Sequence, residues 1–360
     1  MNLDYTKLLN RKPIFTDTET IKDFVNGKRI MVTGGAGSIG SEIVRQLVKF
    51  NASSVTVFDN AEASMFHLEQ EISKDYPKSH IKYVIGDVRD KYRLEEVFES
   101  FKPEVVFHAA AYKHVPMMEL NPIEAIKTNV LGTKNVADIS FMNEVDKFVM
   151  VSTDKAVNPT NIMGATKRIA ELYTQFLETK SSTSFIVTRF GNVLGSEGSV
   201  IPTFIKQIKG GGPVSVTHKE VIRYFMTIPE ACQLVLQASV LGKGGEVFLF
   251  DMGEPVSIND LAKNLIKHFE SKAEIKYIGL RPGEKLYEEL LVSGDVSETK
   301  HSLIMRAVEE LIEWSELEII LKSLEEATID SNHQKLRDLL IKIVPEFKPQ
   351  SKIVDFLFRD

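Results

Sequence analysis

The stretch KRIMVTGGAGSIGSEIV constrains this chain more than any other part of it. A β-branched apolar run meets Gly34, Gly37 and Gly40, then passes at once into apolar residues at helical spacing. Glycines there permit a tight strand-to-helix turn. They also let the backbone around Ser38 and Ile39 bring N–H groups to an anionic ligand at the positive end of the helix. A glycine triplet alone is weak evidence, since packing turns use the same residues. Here an acid, Asp59, ends the next strand-like run SVTVFDN, roughly 20 residues past Gly40. A carboxylate at that spacing accepts hydrogen bonds from an adenosine ribose diol and repels a 2′-phosphate, so the pattern favours NAD over NADP.

The rest of the chain agrees with that start. Strand-like runs fall at Arg29–Val32, Ser54–Phe58, Ile81–Ile85, Val105–His108, Lys147–Ser152 and Phe185–Arg189, with helical patterns between them. Alternating βα units predict an α/β fold, a Rossmann doubly wound parallel sheet with helices on both faces. Residues 1–28 read as a polar arm, and 29–190 as the NAD-binding domain, with 231–251 returning to it. Residues 191–230 and 252–300 read as a smaller discontinuous α/β domain for substrate, and 301–360 as C-terminal helices.

Composition excludes several classes. A net charge of −6 argues against a nucleic-acid surface. The single cysteine, Cys232, allows neither a disulfide framework nor a cysteine-based zinc site, and no His/Asp/Glu spacing predicts a metal. The N-terminus lacks the apolar run of a signal peptide, and no uncharged stretch reaches the ~18–20 residues of a membrane span. A cytoplasmic protein with no membrane segment is the expectation.

Further ligand candidates lie at strand ends. In GDVRD, Asp87, with Val88 beside it, either meets an adenine amino group or caps a helix. In HAAAYKHVP, Ala109, Ala110 and Ala111 either let the inner half of a dinucleotide lie against backbone or simply pack closely. VSTDKAVNPTNIMGATKRIAE has the layout of a dehydrogenase active site, a strand end followed by a helix bearing Lys167. Met163 stands four residues before that lysine, where such enzymes usually place a tyrosine. A thioether cannot take a proton from an alcohol, so any acid and base must be other residues.

The motifs TGGAGSIG, HAAAYKHVP, STDKAVNPTNIMGATK, RFGNVLGSEGSVIPTF, IRYFMTIPEA and RPGEKLYEE together resemble the extended short-chain dehydrogenase/reductase superfamily. More narrowly, the chain resembles the CapD-type nucleotide-sugar 4,6-dehydratases of polysaccharide and glycan synthesis, from LLNRKPIF to LLIKIVPEF. Many members of that family carry an added membrane segment. Part of the family has methionine at the tyrosine position, paired with a Thr-Asp-Lys segment.

The resemblance implies NAD-dependent 4,6-dehydration of UDP-N-acetylglucosamine, with Lys155 as the base at C5 and Asp154 as the acid at C6. It implies that Thr153 orients or relays at the C4 hydroxyl, that Lys167 holds the nicotinamide ribose, and that Met163 packs against sugar and cofactor. Lys155 must then lose its proton, and Asp154 gain one, near pH 7. Substrate contacts implied by family position are Lys113, Asn192, Ser199, Arg223, Arg281 and Glu284. The two arginines suit diphosphate oxygens. A homo-oligomer is expected from the superfamily. Rival readings are a nucleotide-sugar epimerase and a non-catalytic NAD-binding regulator.

Overall fold

The computed structural model describes residues 17–289, 296–307, 309, 314–355 and 357. The arm up to residue 16, with its LLNRKPIF motif, lies outside the described residues. Six strands follow the β-branched runs: β1 (Arg29–Thr33), β2 (Ser54–Asp59), β3 (Ile81–Ile85), β4 (Val105–His108), β5 (Lys147–Thr153) and β6 (Ser184–Phe190). After them come β7 (Asn192–Leu194), β8 (Val214–Val216), β9 (Ile222–Arg223), β10 (Phe225–Thr227), β11 (Val247–Phe250), β12 (Val256–Ser257) and β13 (Ile275–Tyr277). Last are β14 (Val296–Glu298) and β15 (Ile304–Ala307).

A nine-stranded sheet runs β3–β2–β1–β4–β5–β6–β11–β15–β14. It is parallel from β3 through β11, and β15 and β14 close the edge antiparallel. The chain reverses its order of strands between β1 and β4. The crevice at the carboxyl ends of those strands is where such sheets bind ligands.

Alternation along the strands explains the two-sided burial. On β1, Ile30 and Val32 face one apolar cluster while Met31 faces the other, and all three are at most 1% exposed. On β5, Phe148 and Met150 face the cluster opposite to Val149. A third cluster, with Phe204, Val214, Val216, Phe225, Leu261 and Leu265, belongs to the elements after β6.

Two readings of the sequence need revision. Within the arm, Thr18–Val25 is a helix capped by Asp17; Ile21 and Val25 are buried, and it packs against the helix Ile228–Leu241. The segment after 301 does not begin with helix, because β15 first adds to the sheet, with Ile304 and Ala307 buried. Four residues are too short a run to show a period. The helices Trp314–Ile329 and His333–Ile343 follow.

The helix Ile162–Glu178 is buried on every side from Ile162 to Leu177. The helix His333–Ile343 covers part of it, and Trp314–Ile329 packs on that helix in turn.

Candidate active site

The glycine loop is held by close approach. Gly34 sits at φ +65°, and a Cβ there would lie 2.5 Å from the backbone nitrogen of Ala110. Only glycine lets the alanines that follow β4 and the loop meet this closely. The following helix, Ser38–Lys49, starts at Gly37 with no side-chain cap and no acid in its first turn. Its end therefore keeps free N–H groups and positive potential for an anion. Asp59 accepts from the Ala36 N–H and the Ala61 N–H, each at 2.9 Å, which fixes its carboxylate beside the loop. These features fit a dinucleotide, with the pyrophosphate on the helix end and a ribose on Asp59.

Asp87 is already engaged. Its oxygens accept from Arg89 N and Nε at 2.9 Å, Arg89 Nη2 at 2.6 Å and Asn60 Nδ2 at 3.1 Å. Burial pushes this carboxyl up, but the Arg89 bonds outweigh burial and leave it below its usual range. The helix Lys91–Phe101 is capped by Asp90, not Asp87. Val88 is a core residue.

The Thr153–Asp154–Lys155 segment, the expected acid and base, lies at the end of β5. Asp154 begins a single 3₁₀ turn, Asp154–Ala156, resting on the first turn of the helix Ile162–Glu178. Gly164 makes that possible: a Cβ there would be 2.1 Å from the Lys155 carbonyl oxygen. Asn161 caps the helix, accepting from Gly164 N at 2.8 Å. Lys155 Nζ donates to Asp154 Oδ1 at 2.9 Å and to Asn192 Oδ1 at 3.4 Å. Thr153 Oγ1 donates to the same Asp154 oxygen at 2.9 Å. Asp154 Oδ2 is buried with no hydrogen-bond partner among the described residues.

A buried carboxylate oxygen without a donor is costly, so this atom marks where a ligand hydroxyl would bond. Burial pushes the Lys155 ammonium down, but the Asp154 and Glu288 carboxylates outweigh it, so Lys155 lies above its ordinary value. At rest the lysine is therefore protonated, whereas a base must be the free amine.

Lys167 Nζ donates to the Val151 carbonyl at 2.9 Å. Burial pushes it down to about 8, against the pull of Glu171. Met163 is 2% exposed and belongs to the main core.

The loop RPGEKLYEE is tied onto the acid–base segment. Lys285 Nζ donates to the carbonyls of Val157 and Asn158, and Asn161 Nδ2 donates to the Gly283 carbonyl. Arg223 donates to the carbonyls of Ile222, Leu286 and Lys285 at 2.7–2.9 Å, with Glu288 at 3.7 Å. Much of its guanidinium is thus spent on the chain itself. Arg281, 55% exposed, pairs with Glu284 at 2.6 Å, away from the buried centre. Lys113 is close enough to Lys155 and Glu197 to feel both charges, and burial holds it below its ordinary value. Ser199 Oγ is buried and unpartnered among the described residues. Glu197 N donates to Ser38 Oγ at 3.2 Å, joining the two ligand loops.

Several residues escaped the sequence reading. Asn129 sits in a π-helical turn, Ile126–Gly132; it accepts from Tyr112 N and donates to Tyr112 O and Thr166 Oγ1. The signal was an asparagine inside an apolar helical run. His108 is buried between Thr33 and Thr133. Burial pushes it down to about 3, so it is neutral. The Thr133 hydroxyl donates to the Asn129 carbonyl, so His108 Nε2 carries the hydrogen and donates to it. Glu171, Arg189, Arg168 and Glu309 form a buried charged network between the helix Ile162–Glu178 and β6, and nothing in sequence spacing joined them.

Residues 30–309 match the family described as polysaccharide biosynthesis protein. The chain is 57% identical over 295 residues to the capsular polysaccharide biosynthesis protein CapD of Staphylococcus aureus, covering 80% of this chain and 49% of that protein. It therefore spans about half the length of that relative. It is 40% identical over 280 residues to UDP-glucose 4-epimerase of Rickettsia rickettsii, covering 75% of this chain and 79% of that one. Among solved structures it is similar to Pen from Bacillus thuringiensis, at 37% identity and a TM-score of 0.75, covering 81% of this chain and 92% of that one. Among the described residues no helix is long and apolar enough to cross a membrane. Sheet, nucleotide loop and matches agree: the chain belongs to the CapD-like polysaccharide biosynthesis proteins of the extended short-chain dehydrogenase/reductase superfamily.

Proposed function

We propose that the chain carries out NAD-dependent 4,6-dehydration of UDP-N-acetylglucosamine, giving a 4-keto-6-deoxy sugar nucleotide for surface polysaccharide or glycan synthesis. The observation that carries this reading is the part-buried contact of Lys155 Nζ with Asp154 Oδ1, 2.9 Å long, at the end of β5. A hydrogen at C5 of a sugar is barely acidic until C4 is oxidised to a ketone. Bound NAD supplies that oxidation and returns the electrons at C6. The protein must then move protons.

The C4 hydroxyl proton passes to Thr153 Oγ1 as that hydroxyl gives its own hydrogen to Asp154 Oδ1, an existing 2.9 Å contact. Asp154 delivers the proton to the C6 oxygen, which departs as water. Lys155, as the free amine, removes the C5 proton and later returns one to that carbon. The account balances without a tyrosine, which suits Met163 in its buried place.

The test is incubation with NAD and UDP-N-acetylglucosamine in heavy water. A product lighter by one water, with deuterium at C5, supports the reading. The second reading, a nucleotide-sugar 4-epimerase, is favoured by the identity to the Rickettsia relative. It calls for a product of unchanged composition, inverted at C4.

A further inference from the structure

A base at Lys155 must be free of its proton, yet the surroundings hold the proton on. The carboxylates acting on it are Asp154, already its hydrogen-bond partner, and Glu288. Glu288 belongs to the loop laid over the acid–base turn. Its side chain is 6% exposed, and its ion partner is Arg223 Nη2 at 3.7 Å, beyond hydrogen-bond length. Arg223 cannot come closer cheaply, because its N–H groups donate to the Ile222, Leu286 and Lys285 carbonyls. Among the described residues no group donates a hydrogen bond to Glu288. A mostly buried carboxylate that is only loosely paired and has no protein donor accepts a proton more readily than an exposed one.

Resting on the dehydratase reading, we propose that Glu288 is a positioning residue that sets the charge of Lys155: ionised, it holds the lysine protonated; protonated, it releases the amine for work at C5. The charges facing Glu288 are Lys155, Asp154, Arg223 and Lys285. Burial and Asp154 push the Glu288 carboxyl up, the three cations push it down, and the result lies above the ordinary glutamate value. Lys155 in turn faces Asp154, Glu288 and Arg223, and Lys113 feels its charge. Lys155 and Glu288 act on each other through space, with no hydrogen bond or ion pair between them among the described residues.

The experiment is a pH titration of the NAD-loaded protein carrying ¹³Cε-lysine, with the Lys155 signal assigned from a Lys155→Met sample. Glu288→Gln imitates the protonated acid without changing shape. At a pH below the wild-type midpoint, the free-amine fraction of Lys155 rises roughly tenfold in that variant, the scale expected when one nearby charge is removed from a partly buried site. The acidic limb of the kcat/KM profile moves to lower pH with it, and Glu288→Asp restores the wild-type titration. Equal Lys155 midpoints in wild type and Glu288→Gln overturn the proposal. The titration needs no turnover, so an enzyme that releases no water would overturn the dehydratase reading while the Glu288 result still decides on its own.

Discussion

Glu171→Gln tests how the helix Ile162–Glu178 is held. The Glu171 side chain is 0% exposed. It accepts from Arg189 Nε at 2.8 Å and from Arg189 Nη2, from Ser152 Oγ at 2.5 Å, and from Arg168 Nη1 at 3.4 Å. Arg189 is 1% exposed, and its other carboxylate partner is Glu309. Glutamine keeps the shape but removes the charge, and turns one acceptor oxygen into an amide donor facing guanidinium N–H groups. Breaking one side of a buried ion pair costs about 3–5 kcal/mol. Glu309 still compensates Arg189 in part, so the lower end, about 3 kcal/mol, is the expected loss in urea unfolding.

The pH dependence has a definite sign. Burial raises the Glu171 carboxyl, but Arg189 outweighs it and holds the carboxyl below its ordinary value. Its stabilisation is therefore complete above the unfolded glutamate value and is lost as pH falls through the depressed folded one. The gap between wild type and variant should be flat across roughly pH 6–8 and close only on strong acidification. Lys167, one turn away and pushed down to about 8 by burial, loses the anion that supports its charge. NAD affinity should then fall more steeply with rising pH than in wild type. A stability loss under about 1 kcal/mol would refute the account, because a surface ion pair is worth that little.

Three further outcomes follow from the site. Lys155→Met should lower turnover by about 10²–10⁴-fold while C4 oxidation, read as NADH absorbance, still occurs; loss of both together would place the lysine elsewhere in the sequence of steps. Asp59→Ala should weaken NAD by about tenfold and shift the NAD-to-NADP preference toward NADP, measured by calorimetric titration of both; an unchanged ratio would remove Asp59 from the ribose. Gly164→Ala should push the acid–base turn off its helix, since the new Cβ would stand 2.1 Å from the Lys155 carbonyl oxygen. Activity should then collapse along with about 1–3 kcal/mol of stability, and full activity in that variant would contradict the packing.

What the sequence disclosed depended on the range of the interaction that gives a residue its role. The β1 run, the glycine loop and Asp59 act through neighbours in the same βα unit, so spacing alone located them. The pair Asp154–Lys155 was found by resemblance, because an Asp-Lys dipeptide is otherwise an ordinary turn. Roles fixed from across the chain were not visible. Arg189 meets Glu309 over 120 residues of separation, and no periodicity links two isolated charges. Asn129 needed the π-turn to aim it at Tyr112 and Thr166. Arg223 illustrates the physical limit best. Its motif implies diphosphate binding, for which a guanidinium has only the N–H groups not already given away. Three of its hydrogen bonds go to carbonyls of its own chain, two of them on the loop that carries Glu288. The same arginine that resembles a phosphate clamp thus pins the RPGEKLYEE loop and adds its charge to the surroundings of Lys155. A motif identifies which chemistry a side chain is capable of; the count of donors and acceptors already spent decides which of them it performs.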